Sequence, residues 1–188
     1  FLMDPFVVDL PWFFRALLVY GIILPTRPKR SAAAYQAIWQ PAGSPLRLYS
    51  EALLAQMQTE PALSECVLTL SMRYGEPACK AAVQEIMQEN CERVVILPLF
   101  PQYSLAATES AIVHAKKTLL SSGFSGEVRV IASFYDDADF ITALAASIQP
   151  YVAKADHLLM SYHGLPVKQL DKVDFIDSKR KEHKKFIE

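Results

Sequence analysis

Between residues 66 and 160 the chain alternates short apolar runs with longer segments of helical periodicity. The apolar runs have the length and composition of buried strands, and they cover 66–72, 93–97, 128–132 and 157–160. The segments with helical spacing lie between them, at 77–90, 104–120 and 139–153. Strands that are joined through helices form parallel sheets with right-handed crossovers. We therefore predict an α/β fold with three layers, αβα, around a four-stranded parallel sheet.

Composition narrows the classes of function. With 188 residues, of which 52% are hydrophobic, the chain can bury the core of one α/β domain or two small ones. A formal net charge of −1 excludes a domain-wide basic footprint, so no nucleic-acid partner is expected. The sequence contains neither GxGxxG nor a P-loop. Cys66, Cys79 and Cys91 are interpreted as buried free thiols, which predicts a reducing, cytoplasmic location.

The first 60 residues are aromatic and then helical. Residues 1–24 are too often interrupted by charges, prolines and glycine to span a membrane, and they lack the basic start of a signal peptide. A helix is predicted from Trp12 to Tyr20, with Gly21 ending it. Ser31 and Ser44 are predicted N-caps of two further helices. The apolar face around 12–18 allows peripheral membrane contact, but we favour its covering a ligand or packing on protein.

Polar and aromatic residues follow each predicted strand, where ligands bind in parallel sheets. The four loops are 72–77, 98–104, 133–136 and 161–166. Six aromatic side chains in them outline a predicted cleft: Tyr74, Phe100, Tyr103, Phe134, Tyr135 and Tyr162. With Arg73 and His163 added, such a cleft suits a flat hydrophobic ligand that bears acidic groups.

His163 is the strongest catalytic candidate, because it follows a strand directly and precedes Gly164. An imidazole can accept a proton or ligate a metal at neutral pH, although packing at the strand end would also explain it. Arg73 can bind a carboxylate of a ligand or form a structural ion pair. Ser104 is predicted to cap the helix that follows it, and Asp136-Asp137 is predicted to start a helix.

Five ordered blocks of the sequence form a recognisable set of motifs. One is Ser161-Tyr-His-Gly-Leu-Pro166, and the others are Phe1–Pro11, Tyr35–Ile38 with Gly43-Ser-Pro45, Met72-Arg-Tyr-Gly75 and Leu97–Ser104. Together they extend over about residues 1–168. The first is similar to the Ser-x-His-(Ser/Gly)-Leu-Pro signature of ferrochelatases, and the five blocks together resemble the proteobacterial members of that family.

The resemblance implies an enzyme that inserts Fe²⁺ into protoporphyrin IX to form protoheme. It implies that His163 accepts pyrrole protons, ligates the metal, or does both. It also implies porphyrin contacts from Arg73, Tyr74, Tyr35, Ser44 and Tyr103. Fe²⁺ and protoporphyrin IX are substrates in this reaction, and no permanently bound cofactor is expected.

The resemblance also implies two similar lobes with the porphyrin between them. Residues 1–166 match one lobe without the family's first strand, and 167–188 form a charged tail or the start of a second lobe. The family's second lobe supplies a glutamate opposite the histidine, and nothing in this chain matches it. The chain alone is therefore expected to be an inactive N-terminal-lobe fragment, and its oligomeric state is left open.

Two other functions remain open at this point. A related class II chelatase would insert cobalt or nickel into a tetrapyrrole, but that class generally uses more histidines and lacks the Pro-Gln-Tyr-Ser block seen at 101–104. A non-catalytic tetrapyrrole-binding module is the third interpretation, because one lobe alone carries half of the expected site.

Overall fold

A computed structural model describes residues 1–152, 154–167 and 169–172. The chain divides into two compact units. The first unit comprises Phe1–Ile96 and Ser110–Val130, and the second comprises Leu97–Glu109 together with the described residues from Ile131 onward. Most of the predicted charged tail, 167–188, lies outside the described residues; residues 167 and 169–172 are helical.

The first unit begins with an irregular turn and a helical stretch. Its helices are α1 (Trp12–Ala16), a π-helical segment (Leu17–Ile23), α2 (Leu24–Thr26), α3 (Pro28–Gln36) and α4 (Pro45–Met57). The predicted stop at Gly21 is wrong, because the helix continues through it as a π turn. An isolated glycine weakens a helix without ending it, and the burial of Val19 holds this stretch against the protein.

Of the two serines predicted to be N-caps, Ser44 occupies an N-cap position and Ser31 does not. Ser31 lies inside α3, which begins three residues earlier at Pro28, so its predicted capping role is wrong. Ser44 occupies the N-cap position of α4 with Pro45 in the first turn, but its side chain donates or accepts no capping bond there. Proline at the first helical position has no backbone N–H to leave unpaired, and its fixed φ suits a helix. Pro45 therefore favours the start of α4 at this residue.

Two parallel strands form the observed sheet. They are β1 (Arg93–Ile96) and β2 (Glu127–Val130), and α6 (Ser110–Ser121) lies between them in the chain. The register pairs Val94 with Val128. Both strands were predicted, whereas 66–72 and 157–160 form no strand in the described part of the chain. The α/β class is therefore observed, and the four-stranded sheet is not confirmed.

One face of this sheet carries the core. Buried Val94 packs with side chains of α6 and of α5 (Cys79–Gln88), in a cluster that contains Cys79, Val83, Val94 and Leu119. The other face is exposed: Val95 is 53% accessible, and Arg93, Glu127 and Arg129 lie beside it. The strands were expected to be buried on both faces, so this expectation is wrong for the described residues.

The second unit contains a π-helical turn and one long helix. The turn spans Leu105–Glu109, and helix α7 spans Ala138–Val152. Asp137 accepts hydrogen bonds from the backbone N–H groups of Asp139 and Phe140, which confirms that it starts α7. Residues 157–166 have no regular secondary structure.

The three cysteines are free, as predicted, but they differ in burial. Cys79 belongs to the core of the first unit, Cys91 is half-buried, and Cys66 is exposed. The expectation that all three are buried is therefore wrong for Cys66.

Candidate functional site

The Arg73-Tyr74-Gly75 turn is built by a short closed loop before α5. The backbone N–H of Met72 donates to the carbonyl of Pro77 at 2.8 Å, which closes the loop. Gly75 has a φ of 81°, a left-handed conformation that side chains disfavour. The loop therefore turns sharply at Gly75 and presents the two preceding side chains together.

A buried carboxylate from the N-terminal segment holds both side chains. Asp4 Oδ2 accepts hydrogen bonds from Arg73 Nη2, Tyr74 OH and Ser110 Oγ, each at 2.6 Å. Its other oxygen, Oδ1, accepts the backbone N–H of Phe6 at 2.9 Å. Arg73 Nε in turn donates to Ser110 Oγ at 2.7 Å. We call Asp4, Arg73, Tyr74 and Ser110 the Asp4 cluster.

The environment of the cluster fixes its protonation at neutral pH. Burial raises the pKa of Asp4, but the hydrogen bonds from Ser110, Tyr74 and Phe6 and the charge of Arg73 outweigh burial, so the pKa lies below its ordinary value. Burial, together with the hydrogen bond to Asp4, raises the pKa of Tyr74. At neutral pH the cluster therefore combines a carboxylate, a guanidinium and a neutral phenol.

The cluster borders an open cavity of about 420 Å³ in the first unit. Helix α6 contributes Val113, His114 and Lys117 to its wall, and the N-terminal turn contributes Phe6. Burial and then the charge of Arg73 lower the pKa of His114, so this half-buried imidazole is neutral at pH 7. The cavity thus offers aromatic surface, neutral hydrogen-bonding groups and two cationic side chains.

Sequence reasoning missed three of these residues. Asp4 lies within the Phe1–Pro11 block, and no functional role is predicted for it, for Ser110 or for His114. The positions 110, 114 and 117 repeat with helical spacing, so a polar face on α6 was readable. Nothing in the local sequence shows that this face meets Asp4.

Tyr103 and Ser104 lie in the second unit, in the loop before the π-helical turn. Tyr103 OH donates to Glu109 Oε2 at 2.6 Å. Ser104 Oγ accepts the backbone N–H of Ala107 at 3.2 Å, which confirms its predicted capping role. Both groups are half-buried, so part of the Tyr103 ring is accessible.

His163 lies in the segment 157–166 of the second unit, which has no regular secondary structure, and the residue is exposed. The predicted strand before it is not formed, but the residue does follow an apolar run at 157–160. Exposure leaves the imidazole accessible to a ligand. Its roles as proton acceptor and metal ligand stay predictions.

The remaining predicted contacts lie in the first unit. Tyr35 is on α3 and is 61% exposed, and Ser44 is half-buried at the start of α4. The structure brings Arg73 and Tyr74 together, whereas Tyr35 and Ser44 show no bond to them. The predicted cleft with His163 and the six aromatic side chains stays a prediction.

Among the residues that the structure describes, no group of three or more His, Cys, Asp or Glu side chains is placed to hold a metal ion. In the same part of the chain, no helix is both long enough and apolar enough to cross a lipid bilayer.

Comparison with known proteins identifies one family. The family described as Ferrochelatase matches residues 1–187. Similar proteins named Ferrochelatase include one from Ectopseudomonas mendocina at 42% identity, covering 93% of this chain and 51% of that protein. Those from Stutzerimonas stutzeri and Azotobacter vinelandii are each 41% identical, covering 93% of this chain and 50% and 51% of theirs. The chain spans about half the length of these curated relatives, and it belongs to the ferrochelatase family.

Proposed function

We propose that the natural polypeptide carrying this sequence inserts Fe²⁺ into protoporphyrin IX and so forms protoheme. The observation that carries this proposal is the family match over 1–187, together with relatives of the same name at about 40% identity. In this reaction Fe²⁺ binds the four pyrrole nitrogens and two N–H protons leave, so charge and atoms balance. The residues must therefore bind a flat aromatic ligand and accept protons.

His163 is assigned the proton chemistry, with metal ligation as its second role. Its support is the Ser161–Pro166 signature and the exposure of its side chain. A neutral imidazole is a suitable base near pH 7, and it can also replace water on an incoming Fe²⁺. Porphyrin contact is assigned to Arg73, Tyr74, Tyr35, Ser44 and Tyr103.

The test of this assignment is His163→Ala in the full natural polypeptide. We expect Fe²⁺ insertion to fall by about 100-fold or more, as for loss of a general base. His157→Ala is the matched control, because His157 is also exposed and lies six residues upstream. Normal turnover by His163→Ala would refute the assigned role.

Metal preference and porphyrin binding distinguish ferrochelatase from the two alternative functions, a cobalt or nickel chelatase and a non-catalytic binding module. The same assay with Co²⁺ and Ni²⁺ should show slower insertion than with Fe²⁺. A preference for either metal would favour the other chelatase class. Porphyrin binding, followed by the Soret band, without insertion of any metal would favour a non-catalytic module.

The finer architecture belongs to the same proposal. A four-stranded three-layer lobe is supported by the apolar runs at 66–72 and 157–160 and by family membership. The exposed aromatic side chains of Trp12, Phe13 and Phe14 support a cover over the hydrophobic porphyrin, and peripheral membrane contact is the alternative. A cytoplasmic location is supported by three free cysteines.

A further inference from the structure

Asp4 is placed to act through other residues and not on a ligand directly. Its side chain is 4% exposed, and both of its oxygens already accept hydrogen bonds. The bonds at Oδ2 come from Arg73, Tyr74 and Ser110, which lie 69, 70 and 106 residues away in the chain. The Asp4 carboxylate therefore fixes the positions of the Arg73, Tyr74 and Ser110 side chains.

Tyr74 is the neighbour that this arrangement affects most. Its hydroxyl proton is directed to Asp4, so toward any other group the oxygen can only accept a hydrogen bond. The Phe1 and Tyr74 rings form a T-shaped pair with centroids 5.3 Å apart and planes at 83°, and the Arg73 guanidinium carbon lies 4.4 Å from the Tyr74 centroid. The ring is thus held on several sides while 38% of the residue remains exposed at the cavity.

Arg73 is held by the same carboxylate. Its Nη2 donates to Asp4, and its Nε donates to Ser110 Oγ at 2.7 Å and to the Ser110 carbonyl at 3.1 Å. With its charge compensated and two of its nitrogens engaged, Arg73 serves as the stacking partner of Tyr74 more than as a free cation.

We propose that Asp4 is a positioning residue, which orders Arg73 and Tyr74 and so holds the Tyr74 ring in place for contact with a bound tetrapyrrole. This inference rests on the proposed function, because the tetrapyrrole is its ligand. It assigns to the buried carboxylate a part in ligand binding that family membership does not supply.

The test is a double-mutant cycle in the full natural polypeptide. Protoporphyrin IX is titrated into the wild type, Asp4→Asn, Tyr74→Phe and the double variant, and binding is followed by the Soret band. We expect Asp4→Asn to weaken binding by about tenfold, as for loss of a hydrogen bond to a charged group. In the Tyr74→Phe background the same change should have little effect. Glu127→Gln is the matched control, because it converts an exposed, arginine-paired carboxylate to an amide.

Two outcomes of the cycle overturn the inference. Additive losses from the two substitutions would mean that Asp4 acts independently of Tyr74. Tighter binding by Asp4→Asn would mean that Asp4 withholds Arg73 from the ligand's carboxylates. If Asp4→Asn does not fold, Asp4→Glu is used in its place. Glutamate keeps the negative charge, but its longer side chain displaces the hydrogen bonds to Arg73 and Tyr74.

A second readout separates this inference from the proposed function. If the wild type binds no porphyrin, the proposed function fails, and the ionisation of Tyr74 still tests the contact with Asp4. The chain has 8 tyrosines, so the tyrosinate absorbance of Tyr74 is isolated by subtracting the matching Tyr74→Phe protein. Tyr74 should ionise at a lower pH in Asp4→Asn than in the wild type. Identical titrations would show that Asp4 does not hold the phenol.

Discussion

The first unit contains two carboxylate clusters with similar distances and opposite surroundings. Asp4 accepts three side-chain donors at 2.6 Å, with 4% of its side chain exposed. Glu127 accepts Arg93 Nε at 2.7 Å and Arg129 Nε at 2.5 Å, with 44% of its side chain exposed on the open face of the sheet. Distance alone therefore does not distinguish the two sites.

Solvent decides what each cluster contributes. Water and salt screen the exposed Glu127 pairs, and pairs of this kind add little to stability. Around Asp4 the hydrogen-bond donors replace the water that the buried carboxylate has lost. Removing either the carboxylate or one of its donors therefore leaves buried polar groups without partners. The comparison predicts that Asp4 organises structure and that Glu127 is dispensable.

The largest expected effect is that of Asp4→Ala. It leaves Arg73 and Tyr74 without their acceptor, and we expect the free energy of unfolding to fall by about 3 kcal/mol. Urea unfolding measures this, with Glu127→Ala as the matched control. Equal losses in the two variants would break the comparison.

The second prediction concerns acid. The pKa of Asp4 is lowered in the folded protein, so its stabilisation is fully present above the unfolded pKa of about 4 and is lost as pH falls through the folded value. The groups that face it are Arg73, Tyr74, Ser110 and, across the cavity, His114 and Lys117.

Unfolding by urea between pH 7 and pH 3 tests this prediction. Asp4→Asn should show a shallower loss of stability in acid than the wild type. The pKa of Glu127 is also lowered, by its bonds to Arg129 and then Arg93, so Glu127→Gln is measured in parallel. An unchanged acid profile in Asp4→Asn would contradict the prediction.

The smallest expected effect is that of Glu127→Gln at neutral pH. We expect its unfolding midpoint to match the wild type once salt screens the two exposed arginine pairs. Unfolding at low and high salt measures this. A large loss that persists at high salt would show that the exposed cluster is structural as well.

Local chemistry accounts for the parts of the fold that were predicted correctly. Apolar spacing located α5 to α7, and β1 and β2 follow from runs of β-branched residues. Strands 66–72 and 157–160 were predicted from the same kind of run but are not observed. Strand formation needs a partner strand at the edge of the sheet, and a single run of residues does not carry that information.

Local sequence was enough to select several site residues with suitable chemistry. The Arg73-Tyr74-Gly75 turn needs glycine at a positive φ, Ser104 caps its own helix, and the Ser161–Pro166 signature marks His163. The contact between Asp4 and Ser110, which are 106 residues apart, and the place of His114 in the wall of their cavity became visible in the folded protein alone. Burial and long-range hydrogen bonding depend on which surfaces pack together, and local propensity does not specify those contacts.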